Sequence, residues 1–215
     1  VVFYFKGKSD LNSPKILSVV GTRNATTRGR EMCESIISNL SNGHPELIII
    51  SGLAYGIDIA AHKAALSNNL QTISVLGHGF KTIYPSIHRA TAESILKTGG
   101  LLTDFMSNTL PERNNFLKRN RIIAGLSDAT LVVESGIKGG ALITADMANS
   151  YNRDVLAIPG RPGDQWSAGC NDLIKSNKAA LVESATDIEN FLNWQPEKSK
   201  PPVQKTLFSE LSESE

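Results

Sequence analysis

The sequence predicts an α/β fold: a doubly wound, mostly parallel sheet of the extended Rossmann-like type, with helices on both faces. Short runs rich in Val, Ile and Leu recur along the chain, as expected for strands that are buried on both faces. Each run is followed by glycine or a small polar residue and then by a stretch with helical spacing. Because the crossovers between parallel strands are almost always right-handed, helices are expected on both faces of one sheet.

The predicted elements follow one another in a regular strand and helix alternation. Six buried strands are predicted at residues 16–20, 47–50, 72–76, 101–103, 130–133 and 155–158, with a short edge at 181–182. Helices are predicted between them at residues 28–39, 57–67, 87–97, 113–126, 142–151 and 171–176. Residues 1–194 are therefore expected to form one Rossmann-like domain.

The C-terminal residues differ in composition from the rest of the chain. Residues 195–215 are rich in Pro, Lys, Ser and Glu and have little apolar periodicity, which predicts a flexible linker. The first residue is Val1 and not a methionine. We therefore expect the chain to be a fragment, with the linker leading to a C-terminal domain that this sequence does not include.

Composition excludes several classes of protein. With 22 Lys+Arg against 21 Asp+Glu the net charge is +1, so any nucleic-acid site has to be local. The two cysteines, Cys33 and Cys170, form no Cys-x-x-Cys motif, so neither a disulfide framework nor a metal site is indicated. This cysteine usage predicts a protein of the reducing cytoplasm. The N-terminal apolar run is too short for a signal or a membrane span, and no cofactor is indicated.

The loop after the first predicted strand is a candidate anion site. In open α/β sheets, ligands bind beyond the carboxyl ends of the strands, where glycines expose backbone N–H groups. The loop begins at Gly21 and carries Arg23 and Asn24. Arg23 is predicted to bind a phosphate through its guanidinium, and the alternative is an ion pair with a carboxylate at the rim of the domain.

The loop after the second strand predicts a second phosphate cradle. Ser51 and Gly52 end the strand and Gly56 precedes a helix, but the spacing matches neither of the two common nucleotide-binding glycine motifs. Asp58 and His62 lie on one face of that helix. No third ligand accompanies them, so a hydrogen-bonded pair is predicted in preference to a metal site.

The segment 113–126 combines cations, an aromatic ring and amides. This mixture suits phosphates and stacked bases, and the candidate ligands are Arg113, Phe116, Lys118, Arg119, Asn120 and Arg121. Helical spacing places Arg119 and Asn120 beside the apolar face, so both need partners. If Arg119 pairs with Asp104 or Glu134, it is a structural clamp. Otherwise Arg119 is expected to contact the bound ligand. Arg113 begins the helix, where a cation is unfavourable unless an anion is bound.

A third cradle is predicted after the fifth strand, where Lys138 and Gly139 precede a helix. Further along, Trp166 is predicted either to stack on a base or to close a loop over the core. His78 and His88 flank the loop after the third strand, and neither belongs to a recognisable motif. No nucleophile, acid and base converge in these segments, so the domain is not expected to be an enzyme.

Six segments, taken together, resemble the DNA-processing protein A family, also called DprA or Smf. They are GTRNATTRGRE, ISGLAYGIDIAAH, NNFLKRNRIIAGLSDATLVVES, GGALITADMA, VLAIPGRPGD and GCNDLI. They occur in this order, and the match runs from about Gly21 to Val182. The resemblance implies a Rossmann-like domain that binds and protects single-stranded DNA, forms a homodimer and helps to load the RecA recombinase in natural transformation. Its DNA pocket would include Arg23, Ser51, Gly52 and residues 113–121.

Two alternatives are weighed against this interpretation. The fold also resembles the lysine-decarboxylase-like phosphoribohydrolases, which carry a Pro-Gly-Gly-x-Gly-Thr-x-x-Glu loop. The corresponding segment here, GIKGGALITAD, lacks the Gly-Thr step and the glutamate in that register. A scaffold that only contacts other proteins would leave three adjacent cradles without a purpose.

Overall fold

The computed structural model describes residues 2–196, which form one eight-stranded sheet covered by helices. The strands are β1 (Tyr4–Gly7), β2 (Ile16–Val20), β3 (Ile48–Ser51), β4 (Gln71–Val75), β5 (Gly100–Thr103), β6 (Ala129–Val132), β7 (Asp154–Ala157) and β8 (Ala180–Leu181). The helices are α1 (Thr27–Gly43), α2 (Ile57–Ser67), α3 (Arg89–Thr98), α4 (Arg113–Leu126), α5 (Gly140–Ser150), α6 (Ala168–Lys175) and α7 (Ala185–Leu192). A short 3₁₀ turn, Ser86–His88, precedes α3.

The order of the strands predicts a crevice at the carboxyl ends of the central strands. The order is β1-β5-β4-β3-β2-β6-β7-β8; strands β2 to β8 run parallel to one another, and β1 runs antiparallel to β5. From β2, the chain adds β3, β4 and β5 on one side of the sheet, and it then adds β6, β7 and β8 on the other side. The switch point therefore lies between β2 and β6. Loops diverge at such a switch point, so the carboxyl ends of β2 and its neighbours are the expected ligand position.

Burial on both faces of β2 explains why four of its five residues are apolar. Leu17 and Val19 pack with α1, α2 and α7, whereas Ile16 and Val20 pack with α4, α5 and α6. Successive side chains of a strand point to opposite faces, so this division places helices on both sides of the sheet. The predicted fold class is confirmed, and each predicted strand lies within one residue of its observed bounds.

Two elements were not predicted from the sequence. The edge strand β1 has all four residues exposed, although the aromatic pair Tyr4 and Phe5 in its sequence favours a strand. Helix α7 begins with a capping box, in which the Ser184 side chain accepts from the Asp187 N–H and the Asp187 side chain accepts from the Ser184 N–H. Its Ile188 is fully buried against the core beside α1.

The linker predicted at 195–215 lies outside the described residues from 197 onward. Among the helices that the structure describes, none has the length and apolar character needed to cross a membrane. Within residues 2–196, no group of three or more His, Cys, Asp or Glu side chains is placed to hold a metal ion.

Candidate nucleic-acid interface

A cleft opens where the loops after β2, β3 and β4 meet the first turns of α4. We call it the Arg23–Phe116 cleft. Its walls combine two cations, three aromatic side chains and the small residues Gly52 and Ala54. The lining residues are Arg23, Gly52, Ala54, Tyr55, Tyr84, Pro85, Phe116 and Arg119. The cleft lies at the carboxyl ends of parallel strands, where the fold class predicts a ligand site.

Phe116 is the centre of an aromatic and cationic cluster. The Arg23 guanidinium carbon lies 5.8 Å from the centroid of the Phe116 ring, within the range of a cation–π contact. The centroid of the Tyr84 ring is 5.5 Å from that of Phe116, and the two rings are tilted by 32°. Gly77 leaves room for the ring, because a Cβ at that position would lie 2.6 Å from Phe116 Cδ1. The ring is thus held in place while its surroundings stay partly open.

Gly56 brings the loop after β3 against the loop after β2. Its φ is +76°, a backbone conformation that residues other than glycine rarely adopt. A Cβ at Gly56 would lie 2.1 Å from the carbonyl oxygen of Thr22, and the Ile57 N–H donates to that same oxygen at 3.2 Å. The two loops are therefore joined through backbone, which places Arg23 at the mouth of the cleft.

The peptide groups of Gly52 are held by two buried side chains. Asp58 Oδ2 accepts from the Gly52 N–H at 3.2 Å, and Arg119 Nη1 donates to the Gly52 carbonyl at 2.9 Å and also to the carbonyl of Val75. A Cβ at Gly52 would lie 2.5 Å from Arg119 Nη2 and 2.6 Å from Asp58 Oδ2. No larger residue fits between these groups unless one of them moves.

Burial shifts the ionisation of both side chains. Burial lowers the pKa of Arg119 to about 10, which leaves the guanidinium protonated at neutral pH. Burial also raises the pKa of the Asp58 carboxyl, and the positive charge of Arg119 opposes that rise. The two groups stabilise each other's charged forms across Gly52 without a direct ion pair, since no described carboxylate lies within 4.0 Å of the Arg119 guanidinium nitrogens.

The partners predicted for Arg119 were wrong. Asp104 pairs with Arg121, and both oxygens of Glu134 accept from Thr26, one from its N–H at 2.8 Å and one from its hydroxyl at 2.7 Å. Residues two apart on a helix point about 200° apart, so Arg119 and Arg121 face different neighbours. Arg119 faces the sheet, where the carbonyl groups of Gly52 and Val75 accept its hydrogen bonds.

The predicted bond between Asp58 and His62 was also wrong. His62 Nδ1 lies 2.7 Å from the Thr72 hydroxyl oxygen, and that hydroxyl donates to the carbonyl of Ile49. The histidine must therefore donate from Nδ1. Burial lowers the pKa of His62 to about 3, with Arg119 as the next cause, so the imidazole is neutral at physiological pH. His62 contributes to the support of the loop and not to a metal site.

Several predicted ligands have other contacts or lie beside the cleft. Ser51 is fully buried, and its hydroxyl donates to the carbonyl of Val19 at 2.6 Å. Asn120 Oδ1 accepts from Arg119 Nε at 3.3 Å. Asn24 is exposed next to Arg23, and its N–H donates to the Thr22 hydroxyl at 3.1 Å. These contacts hold the site together.

The remaining cations divide into two groups. Arg113, the first residue of α4, and Lys118 are exposed and make no ion pair with a described residue. Lys138 is exposed too, but it and Gly139 line a separate groove beside the Arg23–Phe116 cleft. The structure thus brings Arg23, Gly52, Phe116 and Arg119 together, and it does not place the third cradle in the same cleft.

The sequence reasoning missed Tyr55 and Tyr84. Tyr55 is 47% exposed, and its ring is 5.1 Å from that of His88, which in turn contacts the Leu53 carbonyl through Nδ1 at 2.7 Å. Tyr84 is 45% exposed, and its N–H donates to His78 Nε2. The two histidines therefore support the loops that carry the tyrosines. For Tyr55, the signal available in the sequence was an aromatic residue within a glycine-rich loop.

The sequence matches a family model described as DNA recombination-mediator protein A over residues 1–193. DNA processing protein DprA of Streptococcus pneumoniae is 40% identical over 188 residues, which are 87% of this chain and 65% of that protein. Protein Smf of Escherichia coli is 41% identical over 189 residues, which are 84% of this chain and 49% of that protein. The chain thus spans about half to two thirds of the length of these curated relatives.

Solved structures agree with these matches. The X-ray structure of DprA from Streptococcus pneumoniae superposes with a TM-score of 0.82 at 39% identity, covering 87% of this chain and 65% of that one. A structure of DNA processing protein A from Helicobacter pylori, described as revealing its single-stranded DNA binding mode, superposes with a TM-score of 0.80 at 26% identity. That match covers 89% of this chain and 86% of the other.

Proposed function

Because this chain belongs to the DNA recombination-mediator protein A family, we propose that its Arg23–Phe116 cleft binds single-stranded DNA without altering it chemically. The observation that carries the proposal is the guanidinium of Arg23, 5.8 Å from the centroid of the Phe116 ring. A cation that can bind phosphate therefore lies beside a ring on which a base can stack. Nonspecific binders of single strands combine these two contacts.

The cleft favours unpaired bases over duplex. Stacking on Phe116 and Tyr84 requires a base whose face is free, and in a duplex both faces are occupied by neighbouring base pairs. The structure of the Helicobacter pylori relative, described by its mode of binding single-stranded DNA, supports single strands as the ligand. Because stacking involves the face of the base and not its hydrogen-bonding edge, little preference for sequence is expected.

Local charge supports phosphate binding although the chain is nearly neutral. Arg23, Arg113 and Lys118 are exposed around the first turns of α4 and pair with no described carboxylate. Counterion release by such unpaired cations supplies most of the affinity of proteins for nucleic acid. The buried Arg119 adds positive potential behind Gly52 while its guanidinium donates to backbone carbonyls.

Neither the family nor the cleft suggests catalysis. The family description is that of a recombination mediator, which names no reaction. Asp58 lies behind Gly52 and is 7% exposed, and His62 is neutral and fully buried. Glu134, the carboxylate closest in sequence to a hydrolase loop, has both oxygens bonded to Thr26. A phosphoribohydrolase activity therefore has no observation in its favour.

We extend the proposal to the partners expected of the family. Residues 1–194 would act as one DNA-binding domain in the cytoplasm, form a homodimer, protect the bound strand and help to load the RecA recombinase during recombination or natural transformation. The support is the match to a recombination-mediator family over residues 1–193. Two free, buried cysteines are also consistent with a reducing compartment.

The test is a titration of labelled oligothymidylate and of blunt duplex, followed by fluorescence anisotropy at several salt concentrations. Single strands should bind more tightly, and Arg23→Ala should weaken binding because it removes a cation that binds phosphate. The matched control is Lys97→Ala, which removes an exposed cation in the last turn of α3, at the opposite edge of the sheet. Tighter binding to duplex, or an equal effect of both variants, would overturn the proposal.

A further inference from the structure

A second groove lies beside the Arg23–Phe116 cleft, between the loop after β6 and the loop after β7. Its volume is about 520 Å³, and Thr22, Ile137, Lys138, Gln165 and Trp166 contribute to its walls. This volume lies within the range of about 300–1,000 Å³ that ligand sites usually have. We call it the Trp166 groove.

Trp166 is held in place and remains accessible. Asp164 fixes the loop, because its Oδ1 accepts from the Trp166 backbone N–H at 3.1 Å and its Oδ2 accepts from the Ser167 hydroxyl at 2.9 Å. The indole itself is only partly buried. A tryptophan whose role was only to close the core would be expected to bury its ring.

The chemistry of the groove suits a nucleobase with an adjacent phosphate. Ile137 is 68% exposed and adds an apolar surface to the groove. Lys138 is exposed and pairs with no described carboxylate. The residues that line the groove include no acid, whereas the neighbouring cavity beside the N-terminus of α1 contains Glu134 and Asp164. The Trp166 groove is therefore the one of the two that would accept a phosphate without like-charge repulsion.

The groove adjoins the cleft already described through two consecutive residues. Thr22 lines the Trp166 groove and the next residue, Arg23, lines the Arg23–Phe116 cleft. We propose that one single strand of DNA occupies both sites, with Trp166 stacking on a base and Lys138 facing a phosphate. The proposal rests on the function proposed above, and it adds a second residue on which a base can stack, in the site next to that of Phe116.

Fluorescence provides a direct test, since the chain contains two tryptophans. Trp194 packs against the core, with its ring 5.8 Å from that of His44, so Trp194→Phe is a conservative change that leaves Trp166 as the reporter. Titration of this variant with oligothymidylate should quench the emission of Trp166. In the wild-type background, Trp166→Ala should weaken binding of an oligomer of about 16 nucleotides by about 5- to 150-fold.

Controls separate stacking from folding. Trp166→Phe keeps an aromatic face and should retain most of the affinity, and Tyr151→Ala removes a 47% exposed ring at the far end of α5 and should change nothing. An oligomer of about 4 nucleotides, too short to occupy both sites at once, should be affected by Trp166→Ala much less than the long one. Thermal melts of all variants establish that each is folded.

The outcomes distinguish this inference from the proposed function. If single strands bind but Trp166 is not quenched and Trp166→Ala keeps the affinity, the groove is not a DNA site and the proposed function stands. If Trp166→Ala instead changes the sedimentation of the protein without affecting DNA binding, the groove receives a second copy of the chain and the inference is overturned. If no single strand binds to the wild type, both proposals fail.

Discussion

Arg119, which is 4% exposed in α4, donates a hydrogen bond from Nη1 to the carbonyl oxygen of Gly52 at 2.9 Å. This contact joins a helix to the end of strand β3, 67 residues earlier in the chain. Asp58 holds the N–H of the same glycine. The loop that begins at Gly52 is thus shaped before any ligand binds, which reduces the entropy cost of binding.

Gly52→Ala should destabilise the protein and weaken DNA binding. The added methyl would lie 2.5 Å from Arg119 and 2.6 Å from Asp58, so both side chains have to move. Overpacking of this kind costs about 1–3 kcal/mol. Urea denaturation checks the stability, with Gly140→Ala as the control, because a Cβ at Gly140 has no neighbour within 4 Å. Equal stability of the two variants would contradict the packing described.

Arg119→Ala should lower the free energy of unfolding by about 3–5 kcal/mol, because it leaves the buried Asp58 without its compensating charge. Any weakening of DNA binding would then follow from the distorted loop. Adding Asp58→Asn to Arg119→Ala should recover part of the stability, since the stranded charge is removed. Lys118→Ala, one residue away and exposed, should stay within about 0.5 kcal/mol of wild type. Strictly additive effects of the two changes, measured by urea denaturation, would refute the coupling.

Arg23→Ala and Arg113→Ala should impair DNA binding while leaving the melting temperature nearly unchanged. Both side chains are exposed, and neither pairs with a described carboxylate. Each variant should flatten the dependence of log affinity on log salt by about one unit for each phosphate that the protein no longer neutralises. The measurement is a salt titration combined with a thermal melt. An unchanged salt slope for either variant would remove that residue from the interface.

Stability should fall as the pH is lowered below 6.5, partly through His62. The pKa of His62 is about 3 in the folded protein, and an unfolded chain restores its ordinary value of 6.5. The unfolded state therefore binds more protons in this window, so the contribution is complete above pH 6.5 and declines as the pH falls toward 3. Between pH 7 and pH 5 the decline due to His62 should be about 2 kcal/mol. Urea titrations of wild type and His62→Gln should show a shallower pH dependence in the variant.

Incubation with nucleoside monophosphates should release no free base, because no acid and base converge on the cleft. Both carboxylate oxygens of Glu134 accept hydrogen bonds from Thr26, and His62 is neutral and buried. Chromatography of the products checks this. Release of base that disappears in Glu134→Gln would instead favour the hydrolase alternative.

The fold was predictable because its signals are local. A strand buried on both faces consists largely of apolar or β-branched residues, so β2, β3, β4 and β6 are readable from a few consecutive residues. The same applies to the loops, because glycines and cations directly follow the strands and parallel strands end at one edge. The aromatic residues Tyr4 and Phe5 favour a strand, so the existence of β1 was readable from the sequence. Its antiparallel pairing with β5 was not, because it depends on residues almost 100 positions away.

The sequence by itself determined the α/β architecture and the edge of the sheet at which Arg23, Gly52 and Phe116 meet. Only the tertiary structure decided the partners: Arg119 bonds to the carbonyls of Gly52 and Val75, while Arg121 pairs with Asp104. Periodicity reports whether a side chain is buried, which is a property of its own segment. Which group compensates a buried charge depends on chain segments that meet only after folding, so no local pattern of residues contains that choice.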